Sequence, residues 1–374
     1  MQASLELPAK SNASLRSDFL SENPAAEISR PSRRLWARTG RGPGAPDAPL
    51  VYARSETGRR AAYFRTVARL FGGRRARLRD LFLSRAPVLF LAAEETFLLY
   101  VLTGLLRALT GRRTTGLLLR PMPLTVSARW PHRWKRAVLK RLKRHRLVQT
   151  LTVLPFSVFP AFSSIADGWI HDFQLWDLTE EERTAVNLLR DTRRPGDRAV
   201  LTAIGGQSVQ KGFDLFADVY ARSGRLRLRY QFIACGKVAA AAAEHAEVLR
   251  EAGGVTVDRV VSDAELLGAY AASDAVWCHY PRTGDHASGI LGRAAQLGIP
   301  VVVRQGSLAH RLCVCENLLH VAATAEGVAE RLSGPLPPRD EARGRLCAAR
   351  FAEQSEARLR AALGLAESRV SAEG

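Results

Sequence analysis

The chain has 374 residues, 47% of them hydrophobic, which is room for two ordinary domains and argues against a disordered protein. Its 55 Lys and Arg against 36 Asp and Glu leave a formal charge of +19, so an anionic partner is expected: a phosphate-bearing ligand, a nucleic acid or an acidic lipid surface. Five cysteines, an odd number with Cys235 and Cys278 inside apolar runs, suit reduced thiols rather than a disulfide framework; Cys313 and Cys315 form a lone C-x-C for which no metal is expected.

Residues 1–46 are rich in Ser, Pro, Gly and Arg without periodicity and read as a mobile tail; their first twenty residues lack the apolar core of a secretory signal. From there strands and helices alternate. PLVYAR (49–54) reads as a strand, and Tyr63, Phe64, Val67, Leu70 and Phe71 mark a helix. APVLFLAA (86–93) is a second strand. Residues 96–109 are a helix too short to span a bilayer and are expected to be buried. TTGLLLR (114–120) is a third strand, a basic helix covers about 133–147, and TLTVLPFSVFP (150–160) holds another strand.

Thr179 and Glu182 form a capping box that starts a linking helix, which TRRPGDR (192–198) breaks. The alternation then resumes with strands at AVLTAI (199–204), YQFIACG (230–236), VTVDRVV (255–261), AVWCHY (275–280) and IPVVVR (299–304). Helices start at Phe213, at the Ser262–Glu265 cap and at Ser288. Near-continuous apolar strands separated by helices predict parallel sheets covered on both faces, so the fold class is α/β with two doubly wound, Rossmann-like domains facing a cleft. The expected units are the tail (1–46), a first sheet domain (47–176), a linker helix (177–197), a second sheet domain (198–335) and C-terminal helices (336–374).

In such sheets ligands bind where strand ends meet helix starts. Two loops stand out. GGQSVQKGF (205–213) follows a strand: Gly205 and Gly206 allow a tight turn, and Lys211 offers a positive charge suited to phosphate. Its spacing is neither that of a P-loop nor G-x-G-x-x-G, and a plain glycine turn with a solvated lysine reads equally well. The second loop, PRTGDHASGIL (281–291), ends in a helix capped by Ser288 and closed by Gly298 and Pro300. The free N–H groups of Gly289 and Ile290, with Arg293 one turn further on, suit the phosphates of a sugar diphosphate, and Asp285 suits its hydroxyls; the plain alternative is that Asp285 and Ser288 only cap the turn.

GGQSVQKG, FIACG, RVVSDAELLGAYAASDAV and PRTGDHASGILGRAAQLGIPVV resemble, in order and spacing over roughly 198–335, the donor domain of GT-B glycosyltransferases, specifically the large retaining group with a Glu-x7-Glu motif. The resemblance implies a nucleotide-sugar donor held by Gly205, Gly206, Lys211, Val260, Ser288, Gly289, Ile290 and Arg293, with Lys211 and Asp285 as the catalytic pair. The first motif Glu falls on Asp285 and the second on Arg293, which cannot accept the hydrogen bonds of a ribose; the basic residue usual before the lysine is absent, with Gln207 and Ser208 in that region. On the acceptor side it implies Gly58, Glu94, Glu95 and Arg120, each of which a capping or surface role explains as well. Neither a metal nor a resident cofactor is expected.

The run 129–146 carries Lys135, Arg136, Lys140, Arg141, Lys143 and Arg144 with Trp130 and Trp134 and no acid. Trp134, Val138 and Leu142 make an apolar stripe, and the whole suits an anionic membrane surface, with a solvated helix face as the alternative. The leading expectation is a glycosyltransferase acting on a glycan or polyprenyl-linked acceptor in polysaccharide assembly, cytoplasmic and peripheral on the inner face of the membrane. A non-catalytic GT-B-like scaffold is the second reading. A nucleic-acid binder is third and is not favoured, because no helix-turn-helix or stacking motif supports it.

Overall fold

The computed structural model describes residues 48–55, 59–191, 198–286 and 288–365; the expected tail and Gly58 lie outside the described residues. The first half runs β1 (Leu50–Tyr52), α1 (Arg59–Phe71), β2 (Arg74–Arg75), α2 (Leu78–Leu83), β3 (Val88–Phe90), α3 (Phe97–Ala108), β4 (Thr114–Leu118), α4 (Pro121–Val126), α5 (Trp130–Leu142), β5 (Val148–Thr152) and β6 (Gly168–Trp169). Helix α6 (Glu180–Asp191) follows, started by the Thr179–Glu182 box: Thr179 N donates to Glu182 Oε2 (3.0 Å) and Glu182 N to Thr179 Oγ1 (3.2 Å). The second half runs β7 (Ala199–Ile204), α7 (Phe213–Arg222), α8 (Gly224–Arg229), β8 (Tyr230–Cys235), α9 (Ala243–Glu251), β9 (Val255–Val257), α10 (Asp263–Ala272), β10 (Ala275–Cys278) and α11 (Gly289–Gln296). It closes with β11 (Val301–Arg304), α12 (Leu308–Cys315), β12 (His320–Ala323), α13 (Val328–Ser333) and the long α14 (Glu341–Leu363).

Each half builds one six-stranded sheet, ordered β2-β1-β3-β4-β5-β6 and β12-β11-β10-β7-β8-β9, and every strand pair is parallel. The strand order reverses between β1 and β3 in the first sheet and between β7 and β10 in the second. In doubly wound sheets that reversal opens a crevice at the carboxyl ends of the strands. It selects the loops after β1 and β3, and those after β7 and β10.

Sheet faces are filled by separate apolar clusters, one around Phe90, Tyr100 and Leu118, another around Phe216, Phe232 and Trp277. A third cluster runs through both halves, from Val51 and Leu89 through Phe173 and Trp176 to Tyr270, Leu291 and Phe351. The halves are joined further by α14, which starts against the second half and ends on the first. Gly344 packs so closely on Gly298 that a Cβ would fall 2.5 Å from Gly298 N, and at the far end Thr115 Oγ1 donates to Ala362 O (3.1 Å). Gln296 is a buried junction: its amide nitrogen donates to Gln174 O (2.9 Å) and Asp177 Oδ1 (3.0 Å), and its oxygen accepts from Arg183 (2.9 Å).

Two helices depart from their expected exposure. The stripe of α5 turns inward toward its carboxyl end, where Leu142 is buried beside Leu139 and Val138 is partly covered while Trp134 stays 39% exposed; α3, expected to be buried, exposes a row of leucines. Strand β9 ends at Val257 rather than at 261, because Asp258 turns away to accept from Val238 N (2.8 Å) and to pair with Lys237 (3.1 Å). Among the described residues no helix is long and apolar enough to cross a membrane.

Candidate active site

After β7 the chain turns at Gly205, whose φ of +83° suits glycine. Gln207 is buried beneath that turn, its amide donating to Ala203 O (3.0 Å) and Gly205 O (2.6 Å), so the residue standing near the expected basic position holds the backbone instead. Gly212, at φ +66°, lies against the end of β10: a Cβ there would sit 2.2 Å from His279 O, and Trp277 Nε1 donates to Gly212 O (3.1 Å). These contacts fix Lys211 between the two loops of the switch point. A Cβ added to Gly205 would lie 3.4 Å from Lys211 Nζ and 3.5 Å from Ile290 Cδ1, so the lysine, the glycine turn and the first turn of α11 converge on one point.

Burial holds the Lys211 ammonium below its ordinary pKa, with the Cys278 thiol opposing. Among the described residues the ammonium has neither a hydrogen-bond acceptor nor an ion-pair partner. A desolvated, unpaired cation at a strand end is costly unless a ligand anion completes it. Ser288 caps α11, accepting from Leu291 N (3.3 Å) and sharing a hydrogen bond with Tyr280 Oη (3.0 Å). The N–H groups of Gly289 and Ile290 take no acceptor among the described residues, and as the first-turn donors of a helix they favour negative charge. Cys278, next in this cluster, is pushed up to about 12 by burial and stays a neutral thiol.

Three expected donor-side residues have other commitments. Asp285 accepts from Leu308 N (2.9 Å) and from Arg304 Nη2 (2.9 Å), which ties the loop to the end of β11 and the start of α12. Burial raises its pKa while those two donors oppose the rise, and the two contacts shape the loop. Arg293 turns to Asp177 (3.3 Å), both side chains nearly covered at 12% and 6% exposure. Burial works against its charge, but Asp177, Tyr270 and Glu182 together outweigh it and the guanidinium is held above its usual value; it pairs at the junction between the halves. Gly289 admits the protein's own Gln174, since a Cβ there would fall 1.7 Å from Gln174 Oε1. Gly206 lies beside the Lys237 carbonyl, and Val260 is 82% exposed beyond the end of β9. Near it Asp263 meets Arg65 of α1 (3.6 Å), a link between the halves.

At the first-half switch point Glu94 Oε1 accepts from the backbone of Leu119 and Arg120 (both 3.0 Å), and its Oε2 is buried without a partner. Burial raises its pKa, with its own and Arg120's backbone N–H opposing. Lys135 Nζ donates to Glu94 O (2.9 Å). Glu95 is bound by Arg60, which also donates to Ser55 Oγ (2.6 Å). Glu94, Glu95 and Arg120 are therefore brought together, with Arg60, Ser55 and Lys135 added by the fold. Gln174 and Tyr280 carried no sequence signal, since their roles depend on contacts that only the fold creates. Among the described residues no three His, Cys, Asp or Glu side chains are grouped to hold a metal ion.

No family model and no curated protein matches the chain. Solved structures do. An α,α-trehalose-phosphate synthase (UDP-forming) from Burkholderia xenovorans in complex with glucose-6-phosphate is similar with a TM-score of 0.51 at 13% identity, over 81% of this chain and 77% of that one. An α,α-trehalose 6-phosphate synthase from Burkholderia multivorans gives 0.51 at 12% identity, over 84% and 77%. The trehalose-6-phosphate structure from E. coli bound with UDP-2-fluoro glucose gives 0.50 at 10% identity, over 78% and 75%. The architecture is GT-B. At such identities the likeness concerns fold, and function rests on the site.

Proposed function

We propose that the chain is a glycosyltransferase that moves a sugar from a nucleotide-diphosphate sugar to a hydroxyl of a glycan or lipid-linked acceptor, in polysaccharide assembly. The observation that carries this reading is the unpaired, desolvated Lys211 ammonium beside the open N–H groups of α11, at the switch point of a GT-B second sheet. The donor diphosphate would lie between them. As the bond from the anomeric carbon to the phosphate oxygen breaks, Lys211 and the helix amides take up the growing negative charge, while the acceptor oxygen forms the new bond and its proton leaves toward the departing phosphate or solvent. In this scheme residues 198–335 serve the donor, 47–176 serve the acceptor, and neither a metal nor a resident cofactor takes part. On the acceptor side Glu94 and Glu95 stand at the first-half switch point, Glu94 with one oxygen buried and unpartnered. The exposed basic surface around Trp130, Lys140, Arg141 and Arg144 supports a peripheral position on an anionic membrane, which in this reading is its cytoplasmic face.

A thermal-shift screen of UDP- and GDP-sugars tests the donor site, since a ligand at about 100 times its Kd raises unfolding free energy by about 2.7 kcal/mol. A shift that is lost in Lys211→Ala supports donor binding at this site, and release of the nucleoside diphosphate by the wild type supports transfer. The commitment of Asp285 and Arg293 to internal partners favours a second reading, a non-catalytic GT-B scaffold. That reading takes over if donors bind without any hydrolysis or transfer.

A further inference from the structure

Helix α3 is apolar on both faces. Its inner face is locked: Tyr100 and Gly104 are buried, and a Cβ on Gly104 would fall 2.8 Å from Val148 Cγ1. At the far end the fully buried Arg107 donates to Leu81 O (3.1 Å), Ser84 O (2.8 Å) and Ala86 O (2.5 Å). The helix therefore cannot rotate to hide its outer face, where Leu98, Leu102, Leu105, Leu106 and Leu109 follow one another at helical spacing, from 39% exposed at Leu105 to 83% at Leu109. A continuous ridge of this kind on a soluble surface marks an interaction site.

Cations frame it. At the amino end Phe97 packs edge-on against Trp134 (5.5 Å) and beneath Lys135 (5.2 Å), which places α5 beside the ridge. That helix exposes Trp130, Arg133, Lys140 and Arg141, and Arg144 is exposed just beyond its end. At the carboxyl end Arg112 Nη1 donates to Leu83 O (3.2 Å), and Leu83 is itself exposed. A second copy docked on this ridge would bring two basic helices together, and a protein interface core is depleted of such charge. An apolar strip with cations and tryptophan at its border fits the boundary between acyl chains and anionic headgroups.

We propose that α3 is the inserting element of an interfacial membrane anchor, lying in the plane of an anionic bilayer with its leucine ridge in the acyl region and α5 on the headgroups. This rests on the membrane placement proposed above and moves the main apolar contact from α5, whose stripe is covered from Val138 onward, to α3. At about 18 Å, twelve residues of helix are too short to span the roughly 30 Å hydrocarbon layer, which leaves the in-plane arrangement.

The test is co-sedimentation of the full chain with phosphatidylcholine vesicles and with mixed phosphatidylcholine–phosphatidylglycerol vesicles. The wild type binds the anionic vesicles. Leu102→Glu/Leu106→Glu, with an unchanged circular-dichroism spectrum and melting curve, lowers that binding roughly tenfold or more. Lys140→Ala/Arg141→Ala/Arg144→Ala lowers it and weakens its salt dependence. The leucine variant keeps its nucleotide-sugar thermal shift, so loss of anchoring and loss of donor binding are read separately. Binding left intact by the leucine variant, absence of wild-type binding, or a dimer in light scattering that the leucine variant converts to monomer would each overturn the proposal.

Discussion

The two switch points solve opposite electrostatic problems. In the first half Arg60 answers Glu95, and Glu94 spends one oxygen on two backbone donors, so most of the charge is balanced within the protein. In the second half Asp285 is committed to Arg304, Arg293 is paired with Asp177 of the linker, and Lys211 has no ion-pair partner among the described residues in a desolvated spot. A protein that only needed a stable fold would pair that lysine or leave it in water. The contrast is what the proposed donor site requires: an unpaired cation open to a diphosphate in the second half, beside a first half whose charges are mostly balanced internally.

The contrast can be broken most forcefully at Arg293. Replacing it with Glu, the residue that the resembling group carries there, sets two carboxylates together at the junction of the halves. Arg293→Glu is expected to lower stability by about 3–5 kcal/mol in calorimetry, and Asp177→Arg added to it to restore part of the loss. A variant as stable as the wild type would show that the junction does not depend on this pair.

Next in size is Lys211→Ala, for which donor turnover should fall by about 10²–10³-fold while the melting temperature of the unliganded protein stays the same or rises, since the burial penalty is removed. The pH dependence has a definite sign. Because burial lowers the lysine's folded pKa below 10.5, the folded protein sheds this proton first, so its burial penalty shrinks as pH rises toward 10.5 while donor binding weakens over the same window. Lys211→Arg should move the loss of binding to higher pH. Turnover unaffected by Lys211→Ala would erase the difference between the two switch points.

Asp285→Asn should destabilise by about 1–2 kcal/mol, through the weakened Arg304 pair and Leu308 cap, and leave the donor Kd within a few-fold. A large rise in Kd at unchanged stability would return Asp285 to the ligand. The smallest effect is expected at Glu94. Its folded pKa lies above 4.5, so its contribution to stability is full below that pH and is lost as pH rises through the folded value. The melting temperature of the wild type should therefore drop relative to Glu94→Gln across that interval, and parallel curves would mean the carboxyl is not buried in solution.

Strands β7, β8 and β10 were legible because each is a near-continuous apolar run punctuated by glycine or a helix cap, and the Ser262 and Ser288 caps form as their spacing predicts. Strands β2 and β6, two residues each, and β12, which opens with His320, carry too little pattern to read. The exposure of α3 and α5 was misread for a different reason. An apolar stripe shows that a face wants cover, and a helix apolar all round shows only that some of it will be buried; neither names which neighbour arrives.

By itself the sequence determined the parallel alternation and the places where strands stop, and with them the loops that carry Lys211 and Ser288, because those signals act within one or two turns of the chain. Only the tertiary structure decided which charge meets which. Arg293 and Asp177 lie 116 residues apart, Gln174 reaches Gly289 from the other side of the linker, and Gln296 ties Arg183 to both. Ion pairs and orphaned cations depend on three-dimensional distance and local dielectric, which no short window of sequence contains.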